Sequence, residues 1–128
     1  CFANEFGHRG VKVNALAPTA GTRMTEGLIP DQAFALMTPE TVTPAVLYLV
    51  SQDAPTRVIL AAGAGGYAVA KIVETDGIYL DDADQTPEAI AEHWDAIANS
   101  EPKQLQAGFE QTVKFLGKAA QAKGISLE

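Results

Sequence analysis

The chain has 128 residues, 47% apolar and 20% charged, an ordinary globular balance that excludes disorder and suits one small domain. Sixteen acidic against nine basic residues give a net charge of −7, which speaks against nucleic acid and anionic membrane surfaces as partners, since both need a basic footprint. The single cysteine, Cys1, excludes an internal disulfide, and no apolar run approaches the roughly 20 residues of a membrane span.

Cys1 to Gly10 places Phe2 and Phe6 one helical turn apart and then reaches Gly7 and Gly10. That predicts the last turns of an amphipathic helix with a glycine stop. Val11 to Ala17 is apolar apart from Lys12 and Asn14 and is bounded by Gly10 and Pro18, which predicts a parallel strand buried on both faces. A loop follows over Thr19–Pro30, then a short helix over Asp31–Met37. A better-marked helix starts at Thr38-Pro-Glu40, where Thr38 offers a capping oxygen and Pro39 suits the first position. Its predicted face is Val42, Val46, Leu49 and Val50, with Pro44 expected to strain or kink the first turn.

Arg57–Ala62 reads as a second buried strand, joined to the first by a right-handed crossover. Gly63–Gly66 breaks it, and an extended pattern resumes over Val69–Thr75. Asp76-Gly77 predicts a two-residue hairpin before Ile78-Tyr-Leu80. Thr86-Pro-Glu88 repeats the helix start, with Ile90, Trp94 and Ile97 on one face. A last helix carries Leu105, Phe109, Val113 and Leu116, with Gly124 as its stop. The expected organisation is residues 1–66 as an α/β portion (helix end, strand, loop, helix, strand) and residues 67–128 as a hairpin and helical extension.

Two motifs invite a catalytic reading. Gly63-Ala-Gly-Gly-Tyr-Ala68 fits G-x-G-x-x-A, but that fingerprint needs a helix N-terminus after the glycines, and Val69–Thr75 reads as extended. A glycine-rich strand end that lets backbones pack closely explains it better. Tyr67-Ala-Val-Ala-Lys71 spells Y-x-x-x-K, a spacing that on a helix lets lysine lower the tyrosine's pKa. On a strand the two residues lie about 13 Å apart, too far for that role. No catalytic residue is therefore assigned. Nor is a metal site: His8 and His93 are isolated, and Asp81, Asp82 and Asp84 lack the glycine and distal glutamate of a calcium loop.

The loop after the first strand is the better candidate, because ligands of open α/β sheets sit outside the carboxyl ends of the strands. Val11-Lys-Val-Asn-Ala-Leu-Ala-Pro-Thr-Ala-Gly-Thr-Arg-Met-Thr25 resembles the sixth strand and nicotinamide-side loop of the short-chain dehydrogenase/reductase family. Pro39–Ser51 resembles that family's last core helix, and Arg57–Gly66 its last core strand. The Pro18–Thr25 wording and Thr86–Trp94 are similar to one branch, the (3R)-hydroxyacyl-CoA dehydrogenase part of peroxisomal multifunctional enzymes and their bacterial relatives.

The resemblance implies the C-terminal portion of a doubly wound, Rossmann-like parallel sheet, with a β-hairpin and a helical C-terminal extension. It implies hydride transfer between NAD or NADP and a hydroxyl or ketone, with a 3-hydroxyacyl-CoA type substrate. Pro18, Thr19, Ala20, Gly21 and Thr22 would meet the cofactor, with Thr22 supplying a hydroxyl, and Met24, Leu28 and Phe34 would belong to a substrate lid. The family's glycine-rich phosphate turn, catalytic serine and true Tyr-x-x-x-Lys have no match here. The chain is therefore expected to be an inactive fragment whose partners are the enzyme's N-terminal half and further copies in a homo-oligomer. The expected compartment is the cytoplasm, or the peroxisome in a eukaryote. A non-catalytic, self-associating α/β domain is the rival reading.

Overall fold

The computed structural model describes residues 2–127. The chain divides into two compact units, residues 1–71 and residues 72–128.

The first unit opens with α1 (Phe2–Phe6), continued by a 3-10 turn over Gly7–Arg9. Gly10 ends it in the left-handed conformation at φ 74°, donating its N–H back to Gly7, as the glycine stop predicts. A three-stranded sheet follows in the order β1 (Ala15–Thr19), β2 (Ile59–Gly63), β3 (Gly66–Ala70). β1 and β2 run parallel with Ala15 opposite Ile59 and Thr19 opposite Gly63. Between them lie α2 (Asp31–Leu36), a 3-10 turn over Pro39–Thr41 and α3 (Thr43–Leu49). The β-α-β order read from the sequence is therefore present.

The first strand starts later than Val11 and extends through Pro18 to Thr19. Lys12–Asn14 is instead tied to the 52–58 segment by side chains and by the Arg57 N–H, which donates to Val13 O (2.9 Å). Asn14 Nδ2 donates to the Pro55 carbonyl (2.7 Å) and its Oδ1 accepts from Val58 N (3.0 Å), while Val13 N donates to Thr56 Oγ1 (3.0 Å). Asn14 thus does with its amide what a strand residue does with its backbone. Pro18 is tolerated because Ala15 N donates to Val58 O, so alternation turns the nitrogen of residue 18 away from β2, towards the unpaired edge.

The prediction of a strand buried on both faces does not hold for β1. Only Leu16 is half-buried, since β1 is an edge strand among the described residues. The second strand likewise begins at Ile59 rather than Arg57, and its buried residue is Ala62.

The small core of this unit is Val42, Ala45 and Ala62, with Leu16, Ala20 and Leu60 packed against it. The helical face differs from the predicted one: Val46 and Val50 are exposed and Ala45 takes the inward place. Thr38 makes no side-chain cap; its carbonyl accepts from Thr41 Oγ1 (2.7 Å) instead. Pro44 stands at the start of α3, where a missing N–H costs nothing, so the predicted kink becomes a break between the 3-10 turn and α3.

β3 folds back antiparallel on β2 through Ala64 (φ 49°) and Gly65 (φ 80°). Two consecutive positive φ values make the two-residue turn whose twist suits a hairpin, and they account for the glycine at 65. This is the one tight β-hairpin among the described residues. The one predicted at Asp76-Gly77 is absent: Gly77 does take φ 68°, but Ile78–Leu80 forms no strand. Its N–H is held by Ser100 Oγ (2.8 Å), and Asp76 N donates to Glu101 O (2.9 Å), so the chain runs on beside that segment instead of reversing.

In the second unit, β4 (Val73–Thr75) pairs antiparallel with β5 (Pro102–Gln104). Thr86 caps α4 (Pro87–Glu92), its hydroxyl accepting from Ala89 N at 3.2 Å as the Thr-Pro-Glu start predicts, and α5 (Trp94–Ala98) follows. α6 (Phe109–Lys123) ends at Gly124, φ 63°, the predicted stop. Its predicted apolar face is turned out: Phe109 is 71% exposed and Val113 and Leu116 are about half exposed. The helix instead presents Lys114 and Lys118 to β4 and the residues after it. Lys114 binds the Glu74 carboxylate and Thr75 O (2.9 Å), and Lys118 binds Asp76 Oδ2 (2.7 Å). No helix among the described residues is long and apolar enough to cross a membrane.

Candidate functional site

The carboxyl ends of β1 and β2 lie at the same end of the sheet because the strands are parallel, and the Ala64-Gly65 turn from β2 to β3 lies at that end too. A cleft of about 450 Å³ opens at that end; Thr19, Met37, Gly63 and Tyr67 are among its walls, with Ala61, Ala62 and Ala64 between. The walls are mostly small. Gly63 is needed for close approach rather than for backbone freedom: a Cβ there would lie 2.8 Å from the Thr19 carbonyl oxygen and 3.0 Å from Thr19 Cβ.

The five predicted cofactor residues, Pro18, Thr19, Ala20, Gly21 and Thr22, take different places. Thr19 lines the cleft directly. Pro18 pairs with Ala62 in the sheet and is exposed, while Ala20 packs on the Val42–Ala45–Ala62 core and anchors the loop. Gly21 lies under Phe34, whose ring would be 3.1 Å from an added Cβ, and its N–H is bonded to Met37 O. That contact ties the predicted lid residue Phe34 to the loop. Met24 and Leu28, the other two, are 87% and 77% exposed.

Thr22 begins a compact turn. Its carbonyl accepts from Thr25 N (2.9 Å) and Glu26 N (3.0 Å), and its Oγ1 accepts weakly from Met24 N (3.3 Å). A hydroxyl has one proton to donate, and none of the described groups receives that of Thr22. Thr25 is the residue that sequence reasoning missed. Its Oγ1 accepts from Thr22 N (2.9 Å) and donates to Thr22 O (3.0 Å), closing the turn. The Thr-x-x-Thr spacing carries that signal, since short hydroxyl side chains bond backbone groups three residues away.

Tyr67 and Lys71 do not form a proton-transfer pair. Tyr67 lies in β3 and its hydroxyl donates to Thr41 O at 2.8 Å, while Lys71 follows the strand's last residue. The structure also gives Gly63–Gly66 a hairpin turn and no helix N-terminus, so the phosphate-loop reading falls as expected. No group of three or more potential metal ligands occurs among the described residues.

No family model matches the sequence. The chain is 29% identical to the peroxisomal multifunctional enzyme A of Dictyostelium discoideum, over 94% of its own length and 27% of that protein's. It is 31% identical to a Mycobacterium tuberculosis protein named as a short-chain type dehydrogenase/reductase, over 78% of this chain and 35% of that one. The solved structure of full-length peroxisomal multifunctional enzyme type 2 from Drosophila melanogaster superposes with a TM-score of 0.73 and 26% identity, covering 90% of this chain and 21% of that one. Similarity therefore runs through both units, and the resemblance and mixed α/β class read from the sequence are borne out. The chain spans about a quarter to a third of these two relatives' own length.

Proposed function

We propose that this chain is a portion of a short-chain type, nicotinamide-dependent oxidoreductase acting on a hydroxyl or ketone, with a 3-hydroxyacyl-CoA type substrate. The observation that carries the reading is the cleft at the carboxyl ends of β1 and β2, walled by Thr19 and alanines beside a dehydrogenase-like loop. The names of the relatives support the chemical class, and the position of the cleft supports the reading of the loop.

The residues fit a flat, polar ring. Thr19 and Gly63 approach so closely that nothing larger than a hydrogen is accommodated at residue 63, which keeps the backbone near any group in the cleft. Thr22 keeps a proton to donate, and the turn closed by Thr25 holds the Thr22 backbone. Bound there, NAD or NADP would supply hydride transfer. The chain's own part is to position the ring: Ala20 pins the loop to the core, and Gly21 under Phe34 holds its far side. Met24 and Leu28, exposed and apolar, would cover the substrate.

Proton transfer is assigned to residues of the remaining polypeptide, because Tyr67 and Lys71 sit on an extended segment with the phenol bonded to Thr41 O. The unpaired edge of β1 is where that polypeptide would add a strand, and the exposed Leu47, Tyr48, Tyr67 and Val69 favour a homo-oligomer. Neither nucleic acid nor a membrane is a partner. The compartment is the peroxisome in a eukaryote and the cytoplasm otherwise.

Complementation tests this directly. The 128-residue chain alone should not oxidise a 3-hydroxyacyl-CoA with NAD or NADP, and mixing with the N-terminal part of the same enzyme should restore turnover. Turnover by the pure chain would refute the assignment of Tyr67 and Lys71; stable, cooperative folding of the chain as a homo-oligomer, with no turnover restored by the N-terminal part, would favour the non-catalytic, self-associating rival.

A further inference from the structure

Tyr67 has no part in proton transfer, yet it is one of the walls of the cleft. Cross-strand partners in an antiparallel pair point to the same face of the sheet. Tyr67, opposite Ala62, therefore stands on the side where Ala62 packs against Val42 and Ala45. From there its phenol reaches the Pro39–Thr41 turn and donates to Thr41 O at 2.8 Å.

That bond completes a circuit around the cleft. Thr19 pairs with Gly63, and Ala62 with Tyr67, which joins β1, β2 and β3. Tyr67 holds Thr41, and Thr41 is folded back on Thr38 O twice, through its N–H (3.0 Å) and its Oγ1 (2.7 Å). Met37, next to Thr38, is a further wall, and its carbonyl accepts from Gly21 N in the loop that leaves Thr19. The Gly21 bond is made by backbone alone, and the Thr41 hydroxyl is backed by a backbone bond across the same turn. No second hydrogen bond joins β3 to the Pro39–Thr41 turn among the described residues, so the phenol is the link that a single side chain can break.

We propose, on the reading that the cleft receives the nicotinamide, that Tyr67 is a positioning residue. Its phenol holds the Pro39–Thr41 turn against the hairpin and, through Met37 and Gly21, sets where the loop after β1 meets the ring. Tyr67→Phe in the longer enzyme tests this, because it keeps the aromatic ring and removes only that bond. Tyr48→Phe is the control: it removes a phenol hydroxyl that bonds to none of the described residues, from the helix that lines the neighbouring apolar hollow with Tyr67. Two readouts are needed. Amide exchange of Gly21 without cofactor reports the circuit, and titration of NAD and NADP beside steady-state kinetics reports its consequence. Tyr67→Phe should speed Gly21 exchange and weaken the cofactor Kd about threefold to fivefold, the loss of one hydrogen bond, with kcat within about twofold of wild type. Tyr48→Phe should do neither. Gly21 exchange unchanged in Tyr67→Phe would overturn the circuit and leave the reading of the cleft standing. Faster exchange with a wild-type Kd, in an enzyme that Thr19→Trp does weaken, would overturn the positioning role alone. A wild-type Kd in Thr19→Trp as well would remove the nicotinamide from the cleft, and the role of Tyr67 with it.

Discussion

Gly63→Ala is the substitution on which the geometry of the cleft can be measured. The new Cβ would sit 2.8 Å from the Thr19 carbonyl oxygen and 3.0 Å from Thr19 Cβ, against an ordinary contact of 3.4 Å or more. Both neighbours belong to the end of β1, so β1 and β2 must part by about half an ångström there or the backbone must tilt. Overpacking of that kind costs about 1–3 kcal/mol. With a urea slope of roughly 1–2 kcal/mol per molar for a chain of this size, the midpoint should fall by about 1 M, read by circular dichroism at fixed protein concentration. Two further glycines calibrate the result. An added Cβ at Gly21 meets Phe34 at 3.1 Å, a ring that can give by a few tenths of an ångström, whereas at Gly66 the nearest atom is 3.4 Å away. The expected order of destabilisation is Gly63→Ala, then Gly21→Ala, then Gly66→Ala. A Gly63→Ala midpoint within about 0.2 M of wild type, or a reversed order, would refute the close approach on which the cleft depends.

Asn14→Ala should remove two hydrogen bonds and strand Val58 N and Pro55 O, a loss of about 2–3 kcal/mol in the same urea assay; a change under 0.5 kcal/mol would contradict the clamp. Acid should loosen the contact of α6 with β4. Lys114 holds Glu74, and Lys118 holds Asp76, below their ordinary 4.5 and 3.8, so the stabilisation is present above those values and is lost as pH falls through the lowered pKa values. Lys123, raised above 10.5 by Asp82, contributes below that value and loses its part as pH rises through the raised pKa. Hydrogen exchange of α6 should therefore stay level from pH 5 to 9 and weaken below pH 4; unchanged protection down to pH 2 would remove the ion pairs from the account. Tyr67→Phe in the longer enzyme should leave hydride transfer largely intact, and a loss of a hundredfold or more in kcat would restore the phenol as a catalytic group.

The legible parts of the fold were those written in local chemistry. Gly10, Gly124 and the Thr86-Pro-Glu88 start act within a turn of chain, and each does in the structure what its residue type requires. Hydrophobic period placed β1, β2 and the helices between them, yet it failed on which faces are buried. Phe109, Val113 and Leu116 form a regular apolar stripe, but α6 is held through Lys114 and Lys118 to carboxylates some 40 residues away, a pairing no local pattern displays. Asp76-Gly77 has hairpin composition, but Ser100 and Glu101 capture its backbone. In the cleft, Thr19 was readable from its place after a strand, whereas Met37 and Ala61–Ala64 enter only because β1 and β2 end side by side.

The central claim, that the loop after β1 faces a nicotinamide, rests on Thr19 and Thr22. In the longer enzyme, Thr19→Trp would project an indole into the 450 Å³ cleft and displace the ring, and a displacement of about 1 Å is already costly in rate. Thr22→Val keeps the shape and removes one hydrogen bond, about 1 kcal/mol or roughly a fivefold weaker cofactor Kd. Isothermal titration of NAD and NADP into both variants is the direct measurement. The account predicts weakened binding in each with an unchanged Tm; wild-type dissociation constants in both would reduce the loop to a connection between β1 and α2 and contradict the claim.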